Sequence, residues 1–258
     1  MLKNILLPAF IFCTLSAVAQ DEKIDTDRPD QTESASTVPK KWVQFESGFL
    51  KEVFKNGRFR DITYEHPSLL TKYGLSKWLE LRLITTYITS KGKEDSRVLD
   101  KETGLSGVEF GGKANFFAEK GWRPKTSLIA HYDFAGLRTL FKDTVDGFNF
   151  RFTMQHTLTE KLGLGYNIGM EWERFDKAPG YVYTFAPGYN ISDKWYAYIE
   201  VFGTIWKDEK PENSLDGGIA YYINDNLKVD ASGGFGLSSQ APDYYAAVGL
   251  SFRFKAAK

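Results

Sequence analysis

The most regular pattern in the chain covers residues 162–172, which read Leu162-Gly163-Leu164-Gly165-Tyr166-Asn167-Ile168-Gly169-Met170-Glu171-Trp172. Large apolar residues alternate there with glycine and polar residues. Because successive side chains of a β-strand point to opposite faces, this stretch has one apolar and one polar face. About a dozen such stretches follow one another between residues 42 and 254. The pattern predicts an all-β fold, a transmembrane antiparallel up-and-down β-barrel of about 12 strands.

The connections between the stretches separate a membrane barrel from a soluble one. Aromatic residues make up 16% of the chain and glycines number 23, which suits both membrane barrels and soluble β-sandwiches. Short connections such as 192–194 and 224–226 alternate with longer, charged ones such as 90–103 and 137–146. Outer-membrane barrels sort their loops in this way, with short periplasmic turns and longer outer loops. We therefore predict that the apolar face meets outer-membrane lipid and that the polar face lines a lumen.

The tryptophans give an independent indication of the membrane boundaries. In the predicted strand order each of them falls at a strand end or in a turn. Tryptophan is enriched where a barrel meets the two membrane interfaces, whereas a tryptophan that only fills a core would lie in mid-strand. The predicted membrane-interface residues are Trp42, Trp78, Trp122, Trp172, Trp195 and Trp206.

The N-terminus has the features of a secretory signal peptide. Lys3 supplies a positive charge, residues 5–18 are mostly apolar, and Ala17-Val18-Ala19 is a typical cleavage site. Cleavage after residue 19 removes Cys13, the single cysteine of the chain, so the mature protein is expected to hold no disulfide and no cysteine-bound metal. The predicted parts of the chain are a signal peptide (1–19), a polar N-terminal segment (20–41), a β-barrel (42–254) and a C-terminal tail (255–258).

Charged residues recur on the polar faces of the predicted strands. Those expected to point into the lumen are Glu46, Glu80, Arg82, Glu109, Lys113, Asp133, Arg151, Glu171, Glu200, Asp230 and Arg253. Charges of both signs along a pore would bind or filter a small polar solute. Alternatively, these side chains pair across neighbouring strands and only satisfy one another.

The segment before the first strand allows two interpretations. Asp27, Arg28 and Pro29 belong to a polar stretch, residues 25–34, that could enter the lumen as a plug, with Arg28 pairing to lumen carboxylates. A disordered periplasmic tail explains the same composition equally well. The sequence leaves this choice open.

Two adjoining motifs carry a family resemblance. Thr26-Asp27-Arg28-Pro29-Asp30-Gln31-Thr32-Glu33-Ser34 is followed by Val38-Pro39-Lys40-Lys41-Trp42-Val43-Gln44-Phe45-Glu46. Together they resemble the outer-membrane family described as "putative MetA-pathway of phenol degradation". The resemblance covers nearly the whole mature chain and implies a small Gram-negative barrel that acts as a transporter or channel, and the family's description implies aromatic solutes. Such barrels often end at a last aromatic residue that the barrel-assembly machinery recognises, whereas here Phe254 is followed by Lys255-Ala256-Ala257-Lys258.

Three functional hypotheses follow. The first is an outer-membrane channel or transporter through which small solutes, including hydrophobic or aromatic ones, diffuse passively. The second is a closed barrel with a structural, ligand-binding or partner-binding role. The third, an outer-membrane hydrolase, rests only on His131 and Asp133 on one strand face without a nucleophile motif, so no catalytic residue is assigned.

No cofactor, metal or nucleic acid is expected as a partner. Lys+Arg and Asp+Glu number 33 each, and removal of Lys3 leaves 32 against 33, a mature net charge of −1. Nucleic-acid-binding domains instead carry a marked excess of basic residues. The expected partners are outer-membrane lipid, a small-molecule solute and the barrel-assembly machinery.

Overall fold

The computed structural model of the protein describes residues 23–140, 142 and 145–256, so the predicted signal peptide lies outside the described residues. This part of the chain forms strands and one 3-10 helix, Ala135–Leu137. The strands are β1 (Trp42–Asn56), β2 (Phe59–Gly74), β3 (Leu79–Glu94), β4 (Arg97–Val98), β5 (Glu102–Phe117), β6 (Lys125–Asp133), β7 (Gly147–Thr157), β8 (Leu162–Trp172), β9 (Gly180–Asn190), β10 (Trp195–Ile205), β11 (Glu212–Asn224), β12 (Leu227–Gly236) and β13 (Tyr244–Lys255). Within the described residues, no helix is long and apolar enough to cross a membrane.

The long strands close into a barrel. Each pairs in antiparallel fashion with the strands before and after it, and β1 pairs with both β2 and β13. Val43 of β1, for example, lies opposite Tyr73 of β2 and Phe254 of β13. The two-residue strand β4 pairs only with the end of β3. The predicted antiparallel barrel of about 12 strands is therefore confirmed, with one short strand in addition.

The strand bounds differ from the sequence pattern mainly at one connection. The sequence predicts a long loop over residues 90–103, but β3 runs on to Glu94 and β5 begins at Glu102. The end of β3 pairs with β2, where Gly92 lies opposite Asp61. This part of the strand is polar on both faces, so a pattern of alternating hydrophobicity does not reveal it.

The two ends of the barrel have connections of different length. At one end, the turns β7–β8, β9–β10 and β11–β12 span only residues 158–161, 191–194 and 225–226. At the other end, the loops include residues 134–146 and 237–243, although the β1–β2 turn there is also short. We call these the short-turn end and the long-loop end. The alternation follows the prediction except at the β1–β2 turn and at the β5–β6 connection, residues 118–124, which lies at the short-turn end and is as long as residues 237–243. Strand β1 starts at the short-turn end.

The two faces of the barrel wall have opposite chemistry. Large apolar side chains point outward, as shown by Phe110, Ile168 and Phe185, which are 51%, 55% and 51% exposed. Charged side chains point inward, and Arg82 and Lys113 are 1% and 0% exposed. A soluble domain buries its apolar side chains and exposes its charges. The reversed arrangement suits a barrel that has lipid outside and a polar lumen inside.

Several glycines of the polar face make room for tyrosine rings that lie against the inner wall. A Cβ atom on Gly218 would lie 2.7 Å from Cε1 of Tyr198, and a Cβ atom on Gly234 would lie 2.6 Å from Cε1 of Tyr245. These distances are too short for a side chain at either position. The alternation of glycine with large residues in these strands thus follows from how the inner wall packs.

The wall is irregular between β1 and β2. The register shifts between Gly48 and Leu50 on one strand and between Glu65 and Ser68 on the other, next to Pro67, where the sequence predicts a bulge. A cavity of about 440 Å³ lies at this irregularity. Its lining includes the outward-facing Phe49 and Val248 and the polar His66 and Thr89.

Candidate functional site

The lumen contains the chain's own N-terminal segment. Residues 24–38, which we call the inserted segment, enter and leave at the short-turn end. The backbone N–H of Ile24 donates to the carbonyl of Asp225 in the β11–β12 turn at 2.8 Å, and the N–H of Lys41 donates to the carbonyl of Gly74 at 2.8 Å. Between these points the segment contacts Asn167 and Glu200, which both lie in mid-strand. The inserted segment is therefore a loop that reaches the middle of the barrel.

Barrel side chains supply hydrogen bonds that the segment's own backbone does not form. Residues 24–38, all of which are described, contain no strand. Buried backbone N–H groups need partners wherever regular secondary structure does not provide them. The segment's N–H groups donate as follows: Asp27 to Glu46 Oε2 at 2.9 Å, Gln31 to Glu200 Oε2 at 2.7 Å, Glu33 to Asn167 Oδ1 at 2.7 Å and Val38 to Glu80 Oε2 at 2.7 Å.

Three buried cations on neighbouring strands converge on one carboxylate of the segment. Lys72 of β2, Arg82 of β3 and Lys113 of β5, which we call the cation triad, are 2%, 1% and 0% exposed. Arg82 Nη1 lies 2.8 Å from Asp27 Oδ2 and Lys113 Nζ lies 2.9 Å from Asp27 Oδ1. Lys72 also forms an ion pair with Asp27. Charges this deeply buried are tolerated only when they are paired, so Asp27 and the triad hold one another in place.

Arg82 connects this cluster to two further groups. Its Nη2 donates to Glu33 Oε2 of the segment at 2.6 Å, and its Nη1 also donates to Glu80 Oε1 at 3.0 Å. Its Nε donates to Nε2 of His131 at 2.9 Å. Because Nε2 of His131 accepts this bond, the ring proton of a neutral imidazole lies on Nδ1, which is 3.0 Å from Asn149 Oδ1. His131 thus orients Arg82.

Other strands of the wall hold Arg28 and Thr32 of the segment. Arg28 Nη2 donates to Asp230 Oδ1 at 3.0 Å, and the guanidinium lies where Cβ atoms on Gly48 or Gly249 would be. Thr32 Oγ1 donates to Glu200 Oε1 at 2.6 Å. Asp27, Glu33 and Arg28 of the segment therefore each face an opposite charge on the wall.

Asp27, Asp30 and Glu33 of the segment have shifted pKa values. Burial alone would raise the pKa of Asp27, but the charges of the cation triad lower it by more. The resulting pKa lies well below the usual 3.8. The pKa of Glu33 is also lowered, because the effect of burial is outweighed chiefly by Arg82. Burial raises the pKa of Asp30 to about 8 despite the nearby Lys228. Asp27 and Glu33 are thus held as carboxylates, whereas burial favours the neutral acid of Asp30.

The inserted segment and the barrel together match one sequence family. Residues 26–254 match the family described as "putative MetA-pathway of phenol degradation". The chain belongs to this family. No curated protein matches the sequence.

Solved structures with the same fold are outer-membrane channels and porins. An outer membrane channel from Pseudomonas putida F1 has a TM-score of 0.65 and 10% identity, over 86% of this chain and 98% of that chain. The KdgM porin has a TM-score of 0.53 and 11% identity, over 82% and 99%. The NanC porin has a TM-score of 0.51 and 7% identity, over 81% and 98%. With its apolar exterior, this family member is a β-barrel of the outer membrane.

The predicted lumen residues fall into two groups by their contacts. All of them lie on the inward face. The ones that contact or surround the inserted segment are Glu46, Glu80, Arg82, Lys113, Glu200 and Asp230. For these six, the interpretation that they pair only with one another across strands is wrong, because the segment supplies partners for them.

The remaining predicted lumen residues bond within the barrel. Arg151 Nη2 lies 3.8 Å from Glu171 Oε2 on the adjacent strand, Asn149 donates to Glu109 at 2.9 Å, and Arg253 donates to Asn226. Asp133 pairs with Arg138, whereas His131 bonds to Arg82 and Asn149. His131 and Asp133 therefore share a face without forming a pair. Among the described residues, no group of three or more His, Cys, Asp or Glu side chains could hold a metal.

Two of the predicted interface tryptophans face inward. Trp42 shares the inward face of β1 with Gln44, and the guanidinium of Arg253 lies 5.1 Å from its ring centroid. The ring of Trp206 lies within 2.9 Å of where a Cβ on Gly180 would be. The interface assignment is corrected for these two. Trp172 and Trp195 lie on the outward face of their strands, and Trp78 and Trp122 are exposed, at 56% and 98%.

Sequence reasoning missed several residues that hold the segment. Lys72 lies in β2, where Pro67 and the bulge interrupt the alternation, so its face could not be assigned. Lys228 donates to the carbonyl of Arg28 at 2.6 Å and lies two residues before Asp230 on the same face. The period of two that identified Asp230 would have found Lys228 as well.

A large cavity remains beside the segment at the short-turn end. Its volume is about 1260 Å³. Residues of the segment line one side, and side chains such as Lys125, Lys161 and Tyr196 line the other. The segment thus leaves open space in the lumen on the side of the short turns.

Proposed function

We propose that the protein is an outer-membrane channel for small solutes whose lumen is closed by its own inserted segment. The observation that carries the proposal is the type of contact between segment and wall. In the middle of the barrel these contacts are ion pairs and hydrogen bonds, such as Arg82 with Asp27 and Glu200 with Thr32. Water or a polar solute can replace such bonds, whereas a closely packed apolar core has no such substitute.

The barrel does not depend on the segment for its backbone pairing. The strands β1 to β13 close on themselves, and residues 24–38, all described, add no strand to the sheet. Removal of the segment would leave every ladder hydrogen bond of the wall in place. A segment that can leave without opening the sheet suits a plug better than a structural element.

The irregular part of the wall supports a route for hydrophobic or aromatic solutes. The 440 Å³ cavity between β1, β2 and β13 is lined by Phe49 and Val248 from the outer face and by Leu50 and Ala247 from the inner face. It lies where the strand register shifts. An apolar solute could pass there between the lipid and the lumen without crossing the charged centre of the barrel.

A closed barrel with a structural or binding role is the second candidate function. The ion pairs between segment and wall favour the closed barrel if they never break, because breaking a buried ion pair costs about 3–5 kcal/mol of free energy. The two functions differ in one measurable property, the permeability of a membrane that contains the protein.

Liposome swelling with neutral solutes of graded size tests the proposal. We expect slow swelling with the wild-type protein and rapid swelling, up to a size limit, with a variant that lacks residues 24–37, because that deletion opens the lumen. Both proteins should reconstitute to the same density, checked by gel electrophoresis of the vesicles. If neither protein admits any solute, the closed barrel replaces the channel.

The shifted pKa values predict how pH changes the hold on the segment. Because the pKa of Asp27 is lowered, its carboxylate stabilises the bound segment fully at any pH above the usual Asp pKa. This stabilisation is lost as the pH falls through the lowered pKa. Because the pKa of Asp30 is raised, its neutral form stabilises the bound segment fully at any pH below the usual Asp pKa. This stabilisation is lost as the pH rises through about 8. We therefore expect single-channel conductance to be lowest at about pH 4–5 and to rise on both sides.

Two isosteric variants separate the two limbs of this profile. Asp27→Asn should diminish the rise in acid and leave only the part that Glu33 contributes, and Asp30→Asn should diminish the rise in alkali, because neither amide titrates. A wild-type conductance that stays constant between about pH 3 and about pH 9 would show that these carboxyl groups do not control the segment.

A further inference from the structure

The cation triad carries more positive charge than the barrel carboxylates that contact it. Among the described residues, the cation triad of Lys72, Arg82 and Lys113 contacts two barrel carboxylates, Glu46 and Glu80, so the barrel alone carries one uncompensated positive charge there. Asp27 and Glu33 of the segment add two negative charges, so the cluster carries one excess negative charge while the segment is present. A lumen emptied of the segment would therefore present a buried cationic site that needs an anion.

The segment shows which geometry this site accepts. The two carboxylates bind different nitrogens of one guanidinium, with Asp27 on Nη1 at 2.8 Å and Glu33 on Nη2 at 2.6 Å. The other oxygen of Asp27 accepts from Lys113 at 2.9 Å. The planar fork of arginine is well matched to carboxylates, and His131 holds this fork in orientation.

We propose that the cation triad is a binding site for carboxylate-bearing solutes, and that Asp27 and Glu33 occupy it as internal substitutes for such a solute. This inference rests on the proposed channel function, whose solutes it assigns to a chemical class. A solute with one or two carboxylates would compete with the segment for Arg82, Lys72 and Lys113. Binding of the solute would then release the segment, because the carboxylates of the solute would replace Asp27 and Glu33 on the same three cations.

Calorimetric binding of succinate to the purified full-length protein tests the site directly. In a variant with Asp27→Asn and Glu33→Gln, the triad keeps its shape but loses its internal carboxylates. We expect this variant to bind succinate at least about tenfold more tightly than succinamide, the neutral molecule of the same shape, because charge-assisted bonds are lost with the amide. The wild-type protein should bind succinate more weakly than the variant, because its own segment competes.

A third substitution shows whether the triad is responsible. Lys113→Met in the same variant background should remove the preference for succinate over succinamide. Equal binding of the two molecules by the double variant, or a preference that survives Lys113→Met, would overturn the proposal. Folding of each variant is checked by its thermal denaturation in detergent.

Conductance of the wild-type protein provides a measurement that needs no variant. At constant ionic strength, succinate should raise the open fraction of wild-type channels, whereas succinamide should leave it unchanged. Equal effects of the two molecules would also overturn the proposal. The binding experiment does not require conduction, so a barrel that binds succinate but lets nothing through would leave the site standing and refute the channel function.

Discussion

Replacement of Arg82 with alanine is expected to lower the free energy of unfolding of the barrel by about 3–5 kcal/mol, the usual cost of removing one partner from a buried ion pair. The side chain is 1% exposed and donates to Asp27, Glu33, Glu80 and His131. Its loss would leave several carboxylate oxygens in the lumen without their main partner. Urea unfolding of the reconstituted protein, followed by tryptophan fluorescence, measures this change.

Two matched variants show that burial and pairing cause the effect. Arg60 lies in β2 with an exposed side chain, so Arg60→Ala should leave the unfolding curve nearly unchanged. Arg82→Lys keeps the charge but not the planar fork, and we expect it to recover only part of the loss. If Arg82→Ala unfolds at the same urea concentration as Arg60→Ala, the cluster around Asp27 does not stabilise the barrel.

The barrel itself was predictable because its signal is local. Strand β8 has the same bounds, residues 162–172, as the stretch from which the period of two was first recognised. Gly163 and Asn167 face inward and Ile168 outward, as the alternation requires. Each strand carries this information in its own sequence, and the alternation of short and long connections then orders the strands around the barrel.

The contacts of the inserted segment were not predictable in the same way. Asp27 finds its partners Arg82 and Lys113 at sequence separations of 55 and 86 residues. Alternation tells which face of a strand a charge occupies, but not which other part of the chain neutralises it. The sequence contained one relevant signal, since Asp27, Arg28 and Glu33 are concentrated directly before the first strand.

The tryptophans show a prediction that position alone could not support. Trp42 lies at the start of β1 and Trp206 lies just beyond the end of β10. Trp42 nevertheless points inward with Gln44, and Trp206 points inward with Thr204. Their rings pack on Arg253 and over Gly180 inside the barrel. The period of two contained this information, because residues two apart in a strand point to the same face. Trp42 therefore has to share the face of the polar Gln44 and Glu46.

Cross-linking of the inserted segment to the wall is expected to shut the channel. Thr32 Oγ1 and Thr184 Oγ1 are 2.6 Å apart, so the two side chains are in direct contact, and we expect cysteines at both positions to form a disulfide. The only natural cysteine is Cys13, in the predicted signal peptide. The variant with Thr32→Cys and Thr184→Cys should therefore form one defined disulfide, whereas Thr32→Cys alone should form none.

The conductance of this double variant before and after reduction tests most directly whether the inserted segment closes the lumen. The oxidised protein should conduct less than the wild type, and a reductant should restore conductance to at least the wild-type value. Failure of the disulfide to form in the folded barrel would contradict the position of the segment. A disulfide that forms but leaves conductance unchanged on reduction would contradict its role as a plug.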